Sequence, residues 1–155
     1  MCWESKEVIK YNVKDKNGKK VFKFALMDVD KKIIVPYFFP KENFKYKVGE
    51  TKKEKIGDVK VNVGCYMPFS INEGLHSYDM KLCNYFRNKN DSDMIHVNGK
   101  RESVSAFVYK TRGMHLCLLE CTIPFGTNFY ENVNGEIVSE ALTVDKATDF
   151  KFIDA

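Results

Sequence analysis

One run of the chain carries metal-ligating residue types at alternating positions, namely His115, Cys117 and Cys121. Because residues two apart in a β-strand point to the same face, these three side chains would share one face. An imidazole and two thiolates are ligand types that zinc prefers, so these residues could form part of a zinc site. However, strand spacing holds successive Cβ atoms of one face about 6.5–7 Å apart, and tetrahedral ligands usually come from tight turns and a second element. We therefore interpret both cysteines as buried free thiols and predict no metal.

A second pair of chemically capable residues is Cys83 with His76, which lie close together in the sequence. A catalytic thiol and imidazole need a geometry that closeness along the chain does not supply. The chain also lacks the short motifs of serine hydrolases, P-loop proteins and zinc peptidases. Nucleophilic catalysis is therefore not the function that the sequence favours.

Positive charge is concentrated in the first part of the chain. Residues 1–60 hold 16 Lys and Arg against 9 Asp and Glu, and residues 61–155 hold 9 against 12, which gives the net charge of +4. The lysine-rich stretch 41–60 predicts either a solvated loop or a surface that contacts an acidic partner or phosphate. The candidate binding residues on it are Lys45, Lys47, Lys52, Lys53 and Lys55.

Length and composition limit the class of protein. The 155 residues are 44% hydrophobic, which is enough for a substantial core, and we expect residues 1–155 to form a single domain. Five cysteines without a CxxC motif indicate reduced thiols, and neither a signal peptide nor an apolar run of about 20 residues is visible. We therefore expect a cytoplasmic protein that does not use a membrane.

The elements that must position these groups are mostly strands. Residues 115–123 are typical of a strand buried on both faces, and Pro124 ends it. Asn134-Gly135 predicts a hairpin turn before an alternating strand over 136–144. On that strand Glu136 and Glu140 share one face, which lies either at a cleft or in solvent at a sheet edge.

Earlier segments predict another hairpin and a helix. Residues 8–13 and 21–29 flank Asn17-Gly18 and predict a β-hairpin, whose second strand places Lys23 on one face with Val21, Ala25 and Met27. A short helix after residue 79 would be capped by Ser77 or Asp79. The predicted fold class is α+β, a strand-rich domain with a mixed or antiparallel sheet and one or two short helices.

Two segments carry a resemblance to known proteins. GLHSYDMKLCNYF (74–86) and IPFGTNFYENVNGEIVSEALTV (123–144) resemble a group of small phage and prophage proteins of unassigned function. Those proteins share a glycine-leucine/phenylalanine-histidine turn and a closing IPxGTxYYE…GExVS hairpin. The resemblance covers the C-terminal half and implies a mobile-element origin.

A weaker resemblance is to the ADP-ribosyltransferase fold. The segment from Gly74 to Tyr85 is similar to the GIYFADxxSKSANY element of the poly(ADP-ribose) polymerase-like branch, and residues 134–138 are similar to its NEYIVY element. The resemblance implies that His76 stands in place of the nicotinamide-stacking tyrosine and that Glu136 is the catalytic glutamate. The family's first NAD-binding motif has no counterpart in residues 1–60.

Three functions follow from these patterns. The first is a phage- or prophage-type binding protein without a cofactor, an inhibitor of a host or defence factor that acts by surface occlusion. The second is an NAD-dependent ADP-ribosyltransferase that uses His76 and Glu136. The third is a nucleic-acid or nucleotide binder that uses the lysine-rich half. We expect the first, with a partner that carries an acidic surface.

Overall fold

The computed structural model describes residues 3–28, 33–36, 45–88 and 114–149. In this part of the chain every paired strand is antiparallel, and the strands form one sheet of three and one of nine. The elements are β1 (Trp3–Ser5), β2 (Lys10–Asn12), β3 (Lys19–Asp28), β4 (Ile34–Pro36), β5 (Thr51–Lys53), β6 (Lys60–Val61), β7 (Phe69–Ile71), β8 (Leu75–Tyr78), α1 (Met80–Arg87), β9 (Met114–Ile123), β10 (Asn128–Glu131), β11 (Glu136–Ser139) and β12 (Ala141–Asp149). The fold is therefore strand-rich with a small helix, which is consistent with the predicted class at this level.

The large sheet is rolled, because of how β11 joins β12. Its strand order is β2-β10-β11-β8-β3-β9-β12-β5, with β4 beside β3. Three strands separate β11 from β12, which would be about 19 Å in a flat sheet. A single residue, Glu140, joins them, and its N–H and C=O bond to Asn128 and Glu54. The strands from β11 to β12 must therefore curl until the two ends meet, like the wall of a barrel.

The inside of this roll is filled by one apolar cluster from seven strands and the segments beside them. It contains Val13, Val21, Ala25, Ile34, Tyr46, Leu75, Cys117, Leu119, Cys121, Ile123, Phe129, Ile137, Leu142 and Val144. The central pair is β3 with β9, in register from Lys19 opposite Ile123 to Asp28 opposite Met114. The prediction of a buried strand over 115–123 ended by Pro124 is confirmed for this stretch.

The other face of β3 is covered by α1. Phe24 and Leu26 pack with Tyr78 and Cys83, and Phe86 of α1 stacks edge-on against Tyr78 at 5.0 Å between ring centroids. The helix begins where Asp79 accepts a hydrogen bond from the Leu82 N–H at 2.8 Å, which confirms one of the two predicted caps. No helix in the described part of the chain is long and apolar enough to cross a membrane.

Three interpretations of the strands are wrong, one in the pairing of the strands and two in their extent. The turn at Gly18 forms, but β2 pairs with β10 and β3 pairs with β9, β8 and β4, so the two flanking segments make no hairpin. The single strand over 136–144 breaks at Glu140 into β11 and β12. The polar composition of residues 145–155 is typical of a tail with at most one further strand, but residues 145–149 continue β12 after a bulge at Asp145. Each error arises because non-local pairing overrides the local pattern.

Candidate functional site

Three of the most exposed apolar residues in the described part of the chain lie on one hairpin. Strands β6 and β7 are antiparallel, and the tip between them closes with a bond from the Asn62 N–H to the Pro68 carbonyl at 2.7 Å. Val61 is 63% exposed, Val63 94% and Tyr66 78%. We name these three residues the hairpin surface. Apolar side chains grouped and exposed in this way mark an interaction surface more often than isolated ones do.

The hairpin surface stands on a rigid base. Trp3 of β1 is fully buried and packs with Ile71 of β7 and Val138 of β11. Its indole N–H donates to the Glu136 carbonyl at 3.0 Å, and the Asn132 amide donates to the Glu4 carbonyl at 2.7 Å. The small sheet, from which the tip projects, is therefore fastened to the large one by packing and by two directional bonds.

Tyr66 is oriented further by a cation. The Lys6 ammonium lies 4.0 Å from the centroid of the Tyr66 ring, within the range of an attractive cation–π contact. Lys60 lies in β6, directly before Val61. The aromatic ring of the hairpin surface is thus presented beside positive charge.

The predicted binding lysines do not form one continuous patch. Lys45, Lys47, Lys53 and Lys55 are exposed, whereas Lys52 is partly buried and pairs with Glu50 at 3.2 Å. In β5, Lys52 lies opposite Leu142 and Lys53 opposite Ala141, so their side chains leave opposite faces of the strand. Lys53 lies on β5, which ends the strand order of the large sheet, whereas Lys45 and Lys47 flank Tyr46, which bridges to Ile34 of β4.

A lysine occupies the inside of the roll. Lys23 lies on the interior face of β3, where its ammonium donates to the His76 carbonyl at 2.6 Å and lies 5.6 Å from the centroid of the Tyr46 ring. Burial lowers the pKa of Lys23 to about 8, against the raising effect of Cys121 and Glu54. Burial also raises the pKa of the Tyr46 hydroxyl. These two groups are therefore held in an environment that disfavours charge.

His76 is turned away from this interior. Its Nε2 lies 3.2 Å from the Asn72 carbonyl, and burial, followed by the charge of Lys23, lowers its pKa to about 4. The neutral imidazole is therefore the form present near neutral pH. The neighbouring Ser77 is buried, and its Oγ is the buried side-chain polar atom that lacks a hydrogen-bond partner among the residues described.

The two candidate catalytic residues lie on one face of adjacent strands. In the β8–β11 pair, Val138 lies opposite His76 and Glu136 opposite Tyr78, so His76 and Glu136 are diagonal neighbours. Glu136 is half-buried within an internal strand, and the interpretation of it as a solvated edge residue is wrong. Burial raises the pKa of Glu136, although a hydrogen bond with Asn132 opposes that shift.

The thiols of the core lie in apolar surroundings, as the sequence indicates. Cys83, Cys117 and Cys121 are buried and free, and Cys65 is exposed and free. Burial raises the pKa of Cys83 to about 11 and that of Cys117 and Cys121 to about 12. Cys2 and the His115 side chain lie outside the described positions. Within those positions no three His, Cys, Asp or Glu side chains cluster closely enough to hold a metal ion.

Two features of the site were not anticipated from the sequence. The sequence gives no sign of the hairpin surface, because the alternation of residues 59–68 is typical of one strand, whereas the strand ends at Val61 and the following residues form an exposed tip. The interior position of Lys23 had a usable signal, since it alternates with Val21 and Ala25 on a strand whose other face carries Phe22 and Phe24. A strand apolar on both faces predicts burial of any lysine within it.

Comparison with protein-family models, with curated proteins and with solved structures finds no match to this chain.

Proposed function

We propose that the protein is a small binding protein of phage or prophage type, which inhibits a host or defence protein by covering part of its surface. The observation that carries this proposal is the hairpin surface, where Val61, Val63 and Tyr66 stand exposed on a hairpin fastened to the large sheet. An exposed aromatic and aliphatic tip on an anchored sheet loses less conformational entropy on binding than a flexible loop does. It is therefore suited to enter an apolar depression on a partner.

Charge defines the partner more closely. Lys6 and Lys60 flank the apolar tip. Two further exposed lysines are Lys53, the last residue of β5, and Lys55, two residues later. Lysines at the rim of an interface speed association with an acidic surface and contribute less to the final affinity. The partner that fits is a protein with an apolar depression bordered by acidic groups.

The test compares capture from a bacterial lysate by matched variants. We expect the wild type to retain a defined protein, identified by mass spectrometry, and the pair Val63→Asp with Tyr66→Ala to lose it. Val133→Asp is the control, because Val133 is 84% exposed in the turn before β11, away from the hairpin. If Val133→Asp and the hairpin variant capture the same proteins as the wild type, the hairpin surface is not the binding site.

A second candidate function, NAD-dependent ADP-ribosyl transfer, is favoured by the placement of His76 and Glu136 as diagonal neighbours on one face. In that reaction Glu136 would orient the nicotinamide ribose and His76 would stack on the nicotinamide. Val138 lies on this same face of β11, directly opposite His76 in β8, and Trp3 packs on it. The indole of Trp3 therefore lies beside the two candidate residues. Calorimetric titration of NAD into the wild type tests this candidate directly.

A further inference from the structure

A groove opens at one end of the roll, on residues that take no part in the hairpin surface or in the His76 and Glu136 pair. It lies where the turn before β3, the end of β9 and the middle of β12 meet, and its volume is about 360 Å³. It is broadly open to solvent. Its lining includes Lys16, Asn17, Lys20, Thr122, Phe125 and Asp145.

The floor of the groove is a polar network that is accessible to solvent. The Lys20 ammonium donates to Thr122 Oγ1 at 3.0 Å and to Asp145 Oδ2 at 3.1 Å, and the Thr122 hydroxyl donates to the same carboxylate oxygen. Asp145 stands at the bulge of β12, which directs its side chain out of the regular alternation. The charge of Asp145 is therefore compensated within the floor by Lys20.

The wall formed by the turn keeps its lysines close to this floor. Gly18 has φ +81°, and a Cβ there would collide with the Thr122 side chain and the Ile123 carbonyl. The turn consequently lies flat against the end of β9 and places Lys16 and Asn17 at the margin of the groove. Of the lysines in this turn, Lys16 and Lys20 line the groove, and Lys20 is paired with Asp145, so the positive charge that the wall offers to a ligand is that of Lys16.

The groove also carries an aromatic ring. Phe125 follows Pro124 after β9 and is 59% exposed, so much of the ring is in contact with water. An exposed ring and an exposed lysine lining one open groove are the two groups that single-stranded nucleic acid uses, because a base stacks on the ring while the lysine neutralises a phosphate. Because the groove is open, it suits a chain that passes across it better than a small molecule that needs enclosure.

We propose that this groove binds single-stranded nucleic acid, with a base stacked on Phe125 and a neighbouring phosphate beside Lys16. The network of Lys20, Thr122 and Asp145 forms the floor beneath the strand and presents no uncompensated negative charge to it. The proposal uses none of the residues of the hairpin surface, so it stands or falls separately from the proposed function.

The experiment measures fluorescence anisotropy of a labelled oligothymidylate of about ten nucleotides, titrated with the full chain at several salt concentrations. Phe125→Ala should weaken binding about tenfold. Lys16→Glu should reduce the slope of log affinity against log salt by about 0.7 for each phosphate that the protein no longer neutralises. Duplex DNA of the same length should bind more weakly than the single strand.

Matched controls lie on α1, away from the groove. Tyr85→Ala removes an aromatic ring that is 44% exposed, and Lys81→Glu reverses an exposed lysine. Both should bind the oligonucleotide as the wild type does. The proposal is overturned if the wild type does not bind, if Phe125→Ala binds normally, or if Lys81→Glu weakens binding as much as Lys16→Glu. All four variants change exposed side chains, and circular dichroism confirms that each is folded.

Discussion

The carboxylate of Asp79 occupies the space that a side chain on residue 135 would need. Gly135 has φ +93°, and a Cβ added there would collide with all three atoms of the Asp79 carboxyl group. The Asp79 N–H also donates to the Gly135 carbonyl at 2.9 Å. The N-terminal cap of α1 and the turn between β10 and β11 are therefore one structural unit, although the sequence separates them widely.

Substitution of Gly135 by alanine should cost more stability than the same substitution at Gly126. Both glycines have positive φ, but a Cβ at Gly126 meets nothing within 4 Å. Gly126→Ala should lower the free energy of unfolding by about 1 kcal/mol, from backbone strain alone. Gly135→Ala should lower it by about 2–3 kcal/mol, because it also displaces the helix cap. Urea denaturation measures both, and equal losses would mean that the contact with Asp79 is unimportant.

Replacing Lys23 with methionine should stabilise the protein most at neutral pH. The pKa of Lys23 is lowered from 10.5 to about 8, so between these values the unfolded state binds the proton more strongly, and the destabilising contribution of Lys23 decreases as pH rises. The advantage of Lys23→Met should therefore shrink, by up to about 3 kcal/mol, between about pH 7 and about pH 10.5. The charge of Lys23 lowers the pKa of Cys121, but burial keeps the native thiols mostly protonated over this range in both proteins, so the loss of stability that they cause largely cancels in the difference. A difference that does not vary with pH would contradict the desolvated state of this amine.

The thiols should fall into two kinetic classes. In a Cys2→Ser background, a thiol reagent should modify Cys65 at once, because it is exposed, and Cys83, Cys117 and Cys121 only after denaturation. Since burial raises the pKa of the last three, they ionise first in the unfolded state, and stability should fall as pH rises above about 9. Stoichiometric zinc, or rapid modification of Cys117 or Cys121 in the native protein, would be inconsistent with this placement.

Glu136→Gln should separate the binding protein from the transferase. Because burial raises the pKa of Glu136, removal of its charge should leave stability unchanged or slightly higher near neutral pH. A catalytic glutamate would instead lose about 10²–10³ in the rate of NAD turnover on this change. We expect no NAD turnover by the wild type or by Glu136→Gln. Micromolar binding of NAD to the wild type in calorimetry would reverse that expectation.

Reversal of Lys53 and Lys55 to glutamate should slow association with the captured partner and flatten its salt dependence. Stability should change little, since both residues are exposed. Lys52→Glu should differ from these two, because Lys52 is paired with Glu50 and is partly buried. Surface plasmon resonance at two salt concentrations gives the association and dissociation rates. An unchanged association rate would mean that the exposed lysines are solvated and do not contact the partner.

The sequence predicted the turns, strand ends and helix cap that depend only on residues close together in the chain. Proline after Ile123, Asn134-Gly135 and the cap at Asp79 each act within a few residues, and each is found as expected. The pairing of β2 with β10, and the break of one apparent strand at Glu140, depend on distant partners that no local pattern specifies. The candidate residues His76 and Glu136 could be named from a motif, but only the register of β8 and β11 places them on one face.

The one-residue step at Glu140 also has a consequence for the order of synthesis. On the ribosome, β3 emerges long before β9, its main partner, and the roll cannot close until β12 has left the exit tunnel. Until then, Phe24 and Leu26 on one face of β3, and Val21 and Ala25 on the other, remain uncovered by their final neighbours. Until β12 has emerged, the apolar faces of β3 therefore stay accessible to chaperones that bind exposed apolar strands.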